Sequence, residues 1–377
     1  MQIIFKFFLV VIVALYGSQQ AFSTHPEDNY RDEMPYSAPT VPHIALLLPL
    51  ESPTFGPIAE VVKKGFVTAI MREDALPLIV RIYPTSDDPL DILIIYQEAL
   101  NEGAIMVVGP LTRDGVSALA SSHMVDVPTL TLNAIDDNGN LPSNLFLFGL
   151  QMDNEASQIA QLAAEKNRHN AIIITDNSPL SRRLQAAFVN QWQQNRSYAT
   201  TETIFFEEDQ EVLKRLRRHT TGTDNIIFLA LDADKSRLIR SYLDPNVPVY
   251  ATSQIFNGDQ DSLFNHDLNG TQFLEMPWLL QPDHPAVMAY KRSKTPLSTD
   301  MERFYALGID AFRLMALLFQ AHSPSNVSLD GVTGHIRLSL PNQFIREPFA
   351  ATFKQGQVML LNPPEEDKQE EEENEER

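Results

Sequence analysis

Six polar residues stand where apolar runs give way to helix-like segments. They are Thr112 after "VVGPL", Asn133 after "LTL", Asp176 and Ser178 after "IIIT", Asp232 after "FLAL" and Ser253 after "VYAT". Hydroxyls and carboxamides beside the free N–H groups of a helix start can hold the carboxylate or phosphate of a small ligand. The same residue types are the common helix caps, because their oxygens accept orphan N–H groups of the first turn. Position alone leaves two readings open: a small-ligand site at these six residues, or six caps. Capping is the commoner role, since ligand sites are few per protein.

No constellation for covalent or metal chemistry accompanies them. The chain has no cysteine, which removes thiolate nucleophiles, disulfides and Cys-ligated zinc. It has no Gly-x-Gly, Gly-x-Ser-x-Gly, His-Glu-x-x-His or Ser-x-x-Lys, so dinucleotide, hydrolase, zincin and penicillin-binding-type catalytic signatures are missing. The nine histidines are scattered, with no pair at i, i+4, which argues against a His-rich metal site. "DDNGN" (136–140) and "FNGDQDSLFNHD" (256–267) have the chemistry of turns more than of calcium loops. The expectation is a protein that is not an enzyme and needs no cofactor or metal.

The elements that would position the six residues can be read from periodicity. "HIALLLPL" (43–50), "AIMVVG" (104–109), "AIIIT" (171–175) and "NIIFLAL" (225–231) are buried-strand runs, and helix-spaced segments alternate with them. All-apolar strands alternating with helices imply parallel-rich sheets covered on both faces. Two such blocks, 43–150 and 151–276, predict an α/β chain of two lobes with a cleft, where ligands bind beyond the strand carboxyl ends. A long helix is predicted over about 300–319, with Phe304, Leu307, Ala311, Leu314 and Leu318 on one face.

The flanks differ from this body. "MQIIFKFFLVVIVALYGSQQAFS" (1–23) has one lysine, a short apolar core and small residues at Ala21 and Ser23, the layout of a secretory signal peptide. Residues 24–42 read as a proline-bearing linker. Residues 365–377 hold nine acidic and two basic residues of a chain whose net charge is −20, and 362–377 is expected to be an acidic, disordered tail. An acidic chain does not attract nucleic acid without a local basic patch.

Several segments in order resemble a known family: "ALLLPLES" (45–52), "GAIMVVGPLTRDGVSAL" (103–119), "LFLFGLQMDNEASQIA" (145–160), "EMPWLL" (275–280), "RFYALGIDAFRLMALL" (303–318) and "GVTGHIRLSLPNQFIREPFAATFKQGQV" (331–358). Together they are similar to the C-terminal domain of the LppC/LpoA family, activators of class A penicillin-binding proteins. The resemblance implies a type I periplasmic-binding-protein-like fold used as a regulatory scaffold. It also implies a class A penicillin-binding protein (a peptidoglycan synthase) as partner and a location in the periplasm. It places 277–322 with the first lobe and 323–361 with the second. The chain departs from the family pattern in lacking the lipid-attachment cysteine, so it is not expected to be a lipoprotein, and in having only the linker before His43. The alternative expectation is a periplasmic solute-binding protein or sensor for a small polar ligand such as an amino acid.

If Ala311 lies on the buried face of the long helix, Ala311→Asp leaves an unpaired charge in the core. A loss of several kcal/mol is expected in urea unfolding, and an unchanged midpoint would refute the assignment of that face.

Overall fold

The computed structural model describes residues 41–72, 79–135, 141–194, 198–258, 262–321, 327–339 and 342–361. The expected leader, most of the linker, the loop "DDNGN" and the acidic tail lie outside the described residues.

The first half of the chain alternates as β1 (His43–Leu48), α1 (Gly56–Ile70), β2 (Ile79–Pro84), α2 (Pro89–Asn101), β3 (Ala104–Val108), α3 (Arg113–Ser121), β4 (Thr129–Thr131) and β5 (Leu145–Leu147). The alternation restarts with α4 (Met152–Ala164), β6 (Asn170–Thr175), α5 (Pro179–Gln194), β7 (Thr200–Phe205), α6 (Gln210–Thr220), β8 (Asn225–Ala230), α7 (Ala233–Arg240), β9 (Val249–Ala251), α8 (Ser262–Asn265) and β10 (Thr271–Glu275). The chain then runs through α9 (Pro277–Leu280), α10 (Pro285–Met288) and α11 (Thr299–Gln320). It ends in β11 (Ser328–Gly331), β12 (Gly334–Ser339), β13 (Gln343–Glu347), β14 (Phe349–Lys354) and β15 (Gln357–Leu360).

Two mixed sheets result. The first has the order β11-β12-β13-β5-β4-β3-β1-β2 and the second β15-β14-β10-β9-β8-β6-β7. Their central strands are parallel, and antiparallel hairpins extend one end of each. The all-apolar strands are explained by burial on both faces. In β1, Ile44, Leu46 and Leu48 enter a core with α1 and α11, while Ala45 and Leu47 enter the opposite core with α2 and α3. In β8, Ile227 and Leu229 face α6 and α7, whereas Ile226 and Phe228 face α4 and α5.

The long helix α11 buries more than one stripe. Leu307, Ala311 and Leu314 are fully buried, and Phe304 and Leu318 pack partly exposed on the same core. Tyr305, Ile309, Phe312 and Met315 are buried as well. Its contact with α1 is backbone-close: a Cβ on Gly308 would lie 2.1 Å from the Val62 carbonyl oxygen, and one on Gly65 would lie 2.0 Å from that of Tyr305. Gly109, in the "VVGPL" corner, has φ +114°, and a Cβ there would meet the Leu47 carbonyl at 2.0 Å.

One expected boundary is corrected. Residues 323–361 do not return to the second lobe as a block. Strands β11–β13 join the first sheet, with Gln343 of β13 opposite Leu147 of β5, and the Leu147 N–H donates to Asn342 O at 2.9 Å. Ile336 and Phe344 of this hairpin complete the core beneath α11. Only β14 and β15 belong to the second sheet. Strand alternation marks which side chains turn inward, and does not say which free sheet edge they cap.

Gly308→Ala forces α1 and α11 apart and is expected to cost about 1–3 kcal/mol through overpacking. A urea midpoint equal to that of the parent chain would show that the helices separate without penalty.

Candidate functional site

The chain passes between the lobes three times: after β5, after β10 and between β13 and β14. The crossings leave from the carboxyl ends of β5, β10 and β13, and the six polar residues follow the carboxyl ends of β3, β4, β6, β8 and β9.

Each already has protein partners. Thr112 is buried and caps α3, its hydroxyl accepting from the Gly115 N–H at 3.3 Å. Asn133 donates to Leu111 O at 3.0 Å and accepts from the Ala134 N–H at 2.9 Å, tying the turns after β3 and β4 together. Ser178 accepts from the Ser181 N–H at 3.2 Å at the start of α5. Asp232 caps α7 through the Lys235 N–H at 2.9 Å. The Lys235 ammonium sits 2.5 Å from Asp176 and 3.0 Å from Asp232. Burial works against the Asp176 charge, but Lys235 and the Ser178 N–H and hydroxyl outweigh it and hold the carboxyl down at about 2. The six therefore form three separate sets: Thr112 with Asn133, Asp176 and Ser178 with Asp232 around Lys235, and Ser253 apart.

Ser253 leads to the feature that sequence reasoning missed. Its N–H and hydroxyl donate to Glu155 Oε2 at 3.2 and 2.7 Å. The other oxygen of Glu155 takes Arg346 Nη2 at 3.1 Å, and the same guanidinium donates to Gly149 O and Thr333 O, each at 3.1 Å. The Ser253 carbonyl accepts from Arg303 at 3.0 Å. Arg303 also reaches Phe256 O at 2.7 Å, Asp300 at 2.6 Å and Glu275 Oε2 at 2.5 Å. Burial pushes the Glu275 carboxyl up and Arg303 opposes it. Burial likewise works against the Arg303 charge, which Glu275 and Asp300 more than restore.

These side chains come from opposite lobes. Arg303 projects from α11 and Arg346 from β13 in the first, while Glu155 on α4 and Glu275 on β10 belong to the second. Two buried ion pairs thus cross the junction. A third, more exposed contact joins Arg113 of α3 to Asp153 of α4 at 3.7 Å, with Arg183 of α5 3.2 Å from the same carboxylate. Asp310 performs a related task inside the first lobe. It is fully buried, accepts from the Val332 and Thr333 N–H groups at 3.1 and 2.7 Å, and fastens the β11–β12 turn to α11.

A shallow crevice beside this network is lined by Gly149, Gln151, Asn154, Glu155, Gln158, Phe344 and Arg346. No group of three or more metal-ligating side chains occurs among the described residues, and no described helix is long and apolar enough to cross a membrane. A sequence signal for the junction existed. Arg303 and Asp310 interrupt a strongly apolar helix, and Arg346 stands on the inward alternation of β13. Only their partners were beyond reach, since Arg303–Glu275 and Arg346–Glu155 lie far apart in the chain.

Two α/β lobes joined by three crossings define a periplasmic-binding-protein-like architecture. The model of the family described as "LppC putative lipoprotein" matches residues 29–220 and 212–356, and the chain belongs to that family. It is 24% identical over 331 residues to the penicillin-binding protein activator LpoA of Haemophilus ducreyi, covering 85% of this chain and 55% of that protein. The chain spans about half the length of the curated relatives it matches. Among solved structures, the LpoA C-domain of Haemophilus influenzae, described as a regulator of PBP1A, superposes with a TM-score of 0.71 at 20% identity, covering 85% of this chain and 100% of that one. A "putative branched-chain amino acid ABC transporter" of Chromobacterium violaceum also has a TM-score of 0.71, at 34% identity over 82% of this chain and 99% of that one.

Arg346→Met strands the Glu155 carboxylate in the junction and is expected to cost roughly 3–5 kcal/mol. Adding Glu155→Met should recover a large part of that loss in urea unfolding. Equal destabilisation by the single and double variants would mean that the two side chains are not coupled.

Proposed function

We propose that this chain is a non-catalytic regulator of peptidoglycan synthesis that acts in the periplasm by docking a class A penicillin-binding protein. The observation that carries the reading is the occupied junction. The polar groups at the strand ends are engaged as caps and ion pairs, and buried charge pairs hold the lobes together. Such a body is suited to presenting a fixed surface to a partner. Membership of the LppC family and the names of its relatives, activators of penicillin-binding proteins, support the same reading. The relatives are regulators by name, in keeping with a role for this chain outside catalysis.

A second reading has its own support. The 34%-identical transporter structure is matched along almost its whole length, which favours a solute-binding role, with Thr112 and Asn133 on one side of the cleft and Asp176, Ser178, Asp232 and Ser253 on the other. Such a site requires the lobes to part at the junction and the caps to exchange partners with the ligand.

Affinity capture from envelope extract is expected to enrich a class A penicillin-binding protein, and the purified pair should show raised transpeptidase turnover. Thermal-shift measurement with amino acids and muropeptides is the counterpart, since a ligand at 100 times its dissociation constant adds about 2.7 kcal/mol. A clear ligand shift with no cell-wall enzyme captured would replace the regulator reading by the second one.

A further inference from the structure

His43 opens β1, and its imidazole is completely buried. It stacks on the ring of Tyr83 in β2, with centroids 5.8 Å apart. Three hydrogen bonds run in series through the pair. Nδ1 of His43 lies 2.8 Å from the Val41 carbonyl oxygen, and Nε2 lies 2.7 Å from the Tyr83 hydroxyl. That hydroxyl lies 2.7 Å from Oε2 of Glu102, the residue that ends α2. The His43 N–H also donates to Gly103 O at 3.3 Å. The series thus fastens the start of β1, the end of α2 and β2, which is the edge strand of the first sheet and pairs with β1.

With a neutral imidazole and an ionised Glu102, the series is one proton short. A carbonyl oxygen only accepts, so Nδ1 carries a hydrogen, and a neutral ring then has a bare Nε2. Tyr83 has one hydroxyl proton, and Nε2 and the Glu102 carboxylate both require it. A proton added to Nε2 completes the series: Nε2–H donates to the Tyr83 oxygen, and the Tyr83 hydroxyl donates to Glu102. The two ends differ in their access to water. His43 is sealed, whereas Glu102 is about half exposed and has the Arg81 guanidinium 3.6 Å away, so Glu102 can exchange Tyr83 for Arg81 and water. Arg81 and Glu102 are also the charged groups that act on His43. β1 and β3 bring no other charged side chain. On α2, Asp91 is held by Ser86 and Glu98 is exposed. Arg113 and Asp114 lie in the first turn of α3, at the opposite end of the strands, and beyond α3 Asp126 acts on Tyr96, which is bonded to Thr129.

We propose that His43, Tyr83 and Glu102 form a proton-operated latch on the first lobe. Uptake of one solvent proton at His43 Nε2 turns the Tyr83 hydroxyl to Glu102 and fastens the end of α2 to β2. Loss of that proton returns the Tyr83 hydroxyl to His43 and releases Glu102 to Arg81 and water. Burial presses the imidazole below its ordinary value of 6.5 and Arg81 adds to that, against the opposing pull of the Val41 carbonyl and Glu102. The latch therefore opens at neutral pH and closes as the pH falls below 6.5. This inference does not depend on the regulator reading.

Nitrogen NMR of the histidine rings in the full chain, followed from about pH 8 to about pH 4.5 across the range in which histidines titrate, reads both nitrogens of His43. Through-bond correlation to the His43 backbone picks its ring out of the nine histidines. The neutral form is expected to carry its proton on Nδ1 and the acid form on both nitrogens, with a midpoint below 6.5. The Glu102 carboxyl carbon signal should change at that same midpoint. Tyr83→Phe keeps the aromatic ring and removes two bonds from the acid form but one from the neutral form, so it should lower the His43 midpoint and uncouple Glu102 from it. Arg81→Met removes a repelling charge and should raise the midpoint. A neutral His43 protonated on Nε2 would overturn the proposal. So would an imidazole that stays neutral to the acid limit, a midpoint unmoved by Tyr83→Phe, or a Glu102 signal that ignores the His43 titration.

Discussion

Two buried arginines govern how the halves of this molecule meet. Arg303 and Arg346 leave the first lobe and are neutralised by Glu275 and Glu155 of the second, with main-chain carbonyls taking most of the remaining N–H groups. Charges removed from water are tolerated only when pairing and hydrogen bonding are nearly complete, and leaving one partner unpaired is more costly than never having buried the pair. The lobes therefore cannot shift far without exposing or orphaning a charge. Glu155 also holds the Ser253 turn, and Arg303 holds the carbonyls of Ser253 and Phe256, so the same atoms that join the lobes shape the cleft side of the second sheet.

That constraint also bears on what the cleft between the lobes can do. A cleft that closes on a ligand needs free polar groups and a compliant junction. In this chain the polar groups at the strand ends are engaged in capping helices, linking turns or holding Lys235, and the junction contains two buried ion pairs. The hairpin β11–β13 adds to the effect. By extending the first sheet beyond β5, it delivers Arg346 and the Thr333 carbonyl to the junction, and Asp310 anchors its turn to α11.

Much of the fold was legible because local patterns have local causes. The runs of β1, β3, β6 and β8 are apolar on both sides because both sides are covered, and the helical spacing of α1 and α11 reports the faces they bury. Cap positions such as Thr112 and Asp232 were visible because a polar residue at the end of an apolar run has one common local use. The hairpin's allegiance was not legible. Period-two alternation in "GHIRLSL" specifies an inward face, and nothing in it selects the free edge of β5 over an edge of the second sheet. Nor could Gly65 and Gly308 be matched, since each tells only that a backbone comes close and not whose.

By itself, then, the chain's order of residues determined the alternation of strands and helices, the double-sided burial of both sheets, the absence of thiol chemistry and the identity of the capping groups, because these depend on neighbours a few positions away. The tertiary structure alone decided which partners the cap residues take beyond their own turns, which sheet receives the hairpin, and which carboxylate meets which arginine. Those outcomes depend on pairs such as Glu155 and Arg346, brought together across nearly two hundred residues of chain, and the energy of such a pair is set by the water that the assembled lobes exclude, a quantity that no short stretch of sequence contains.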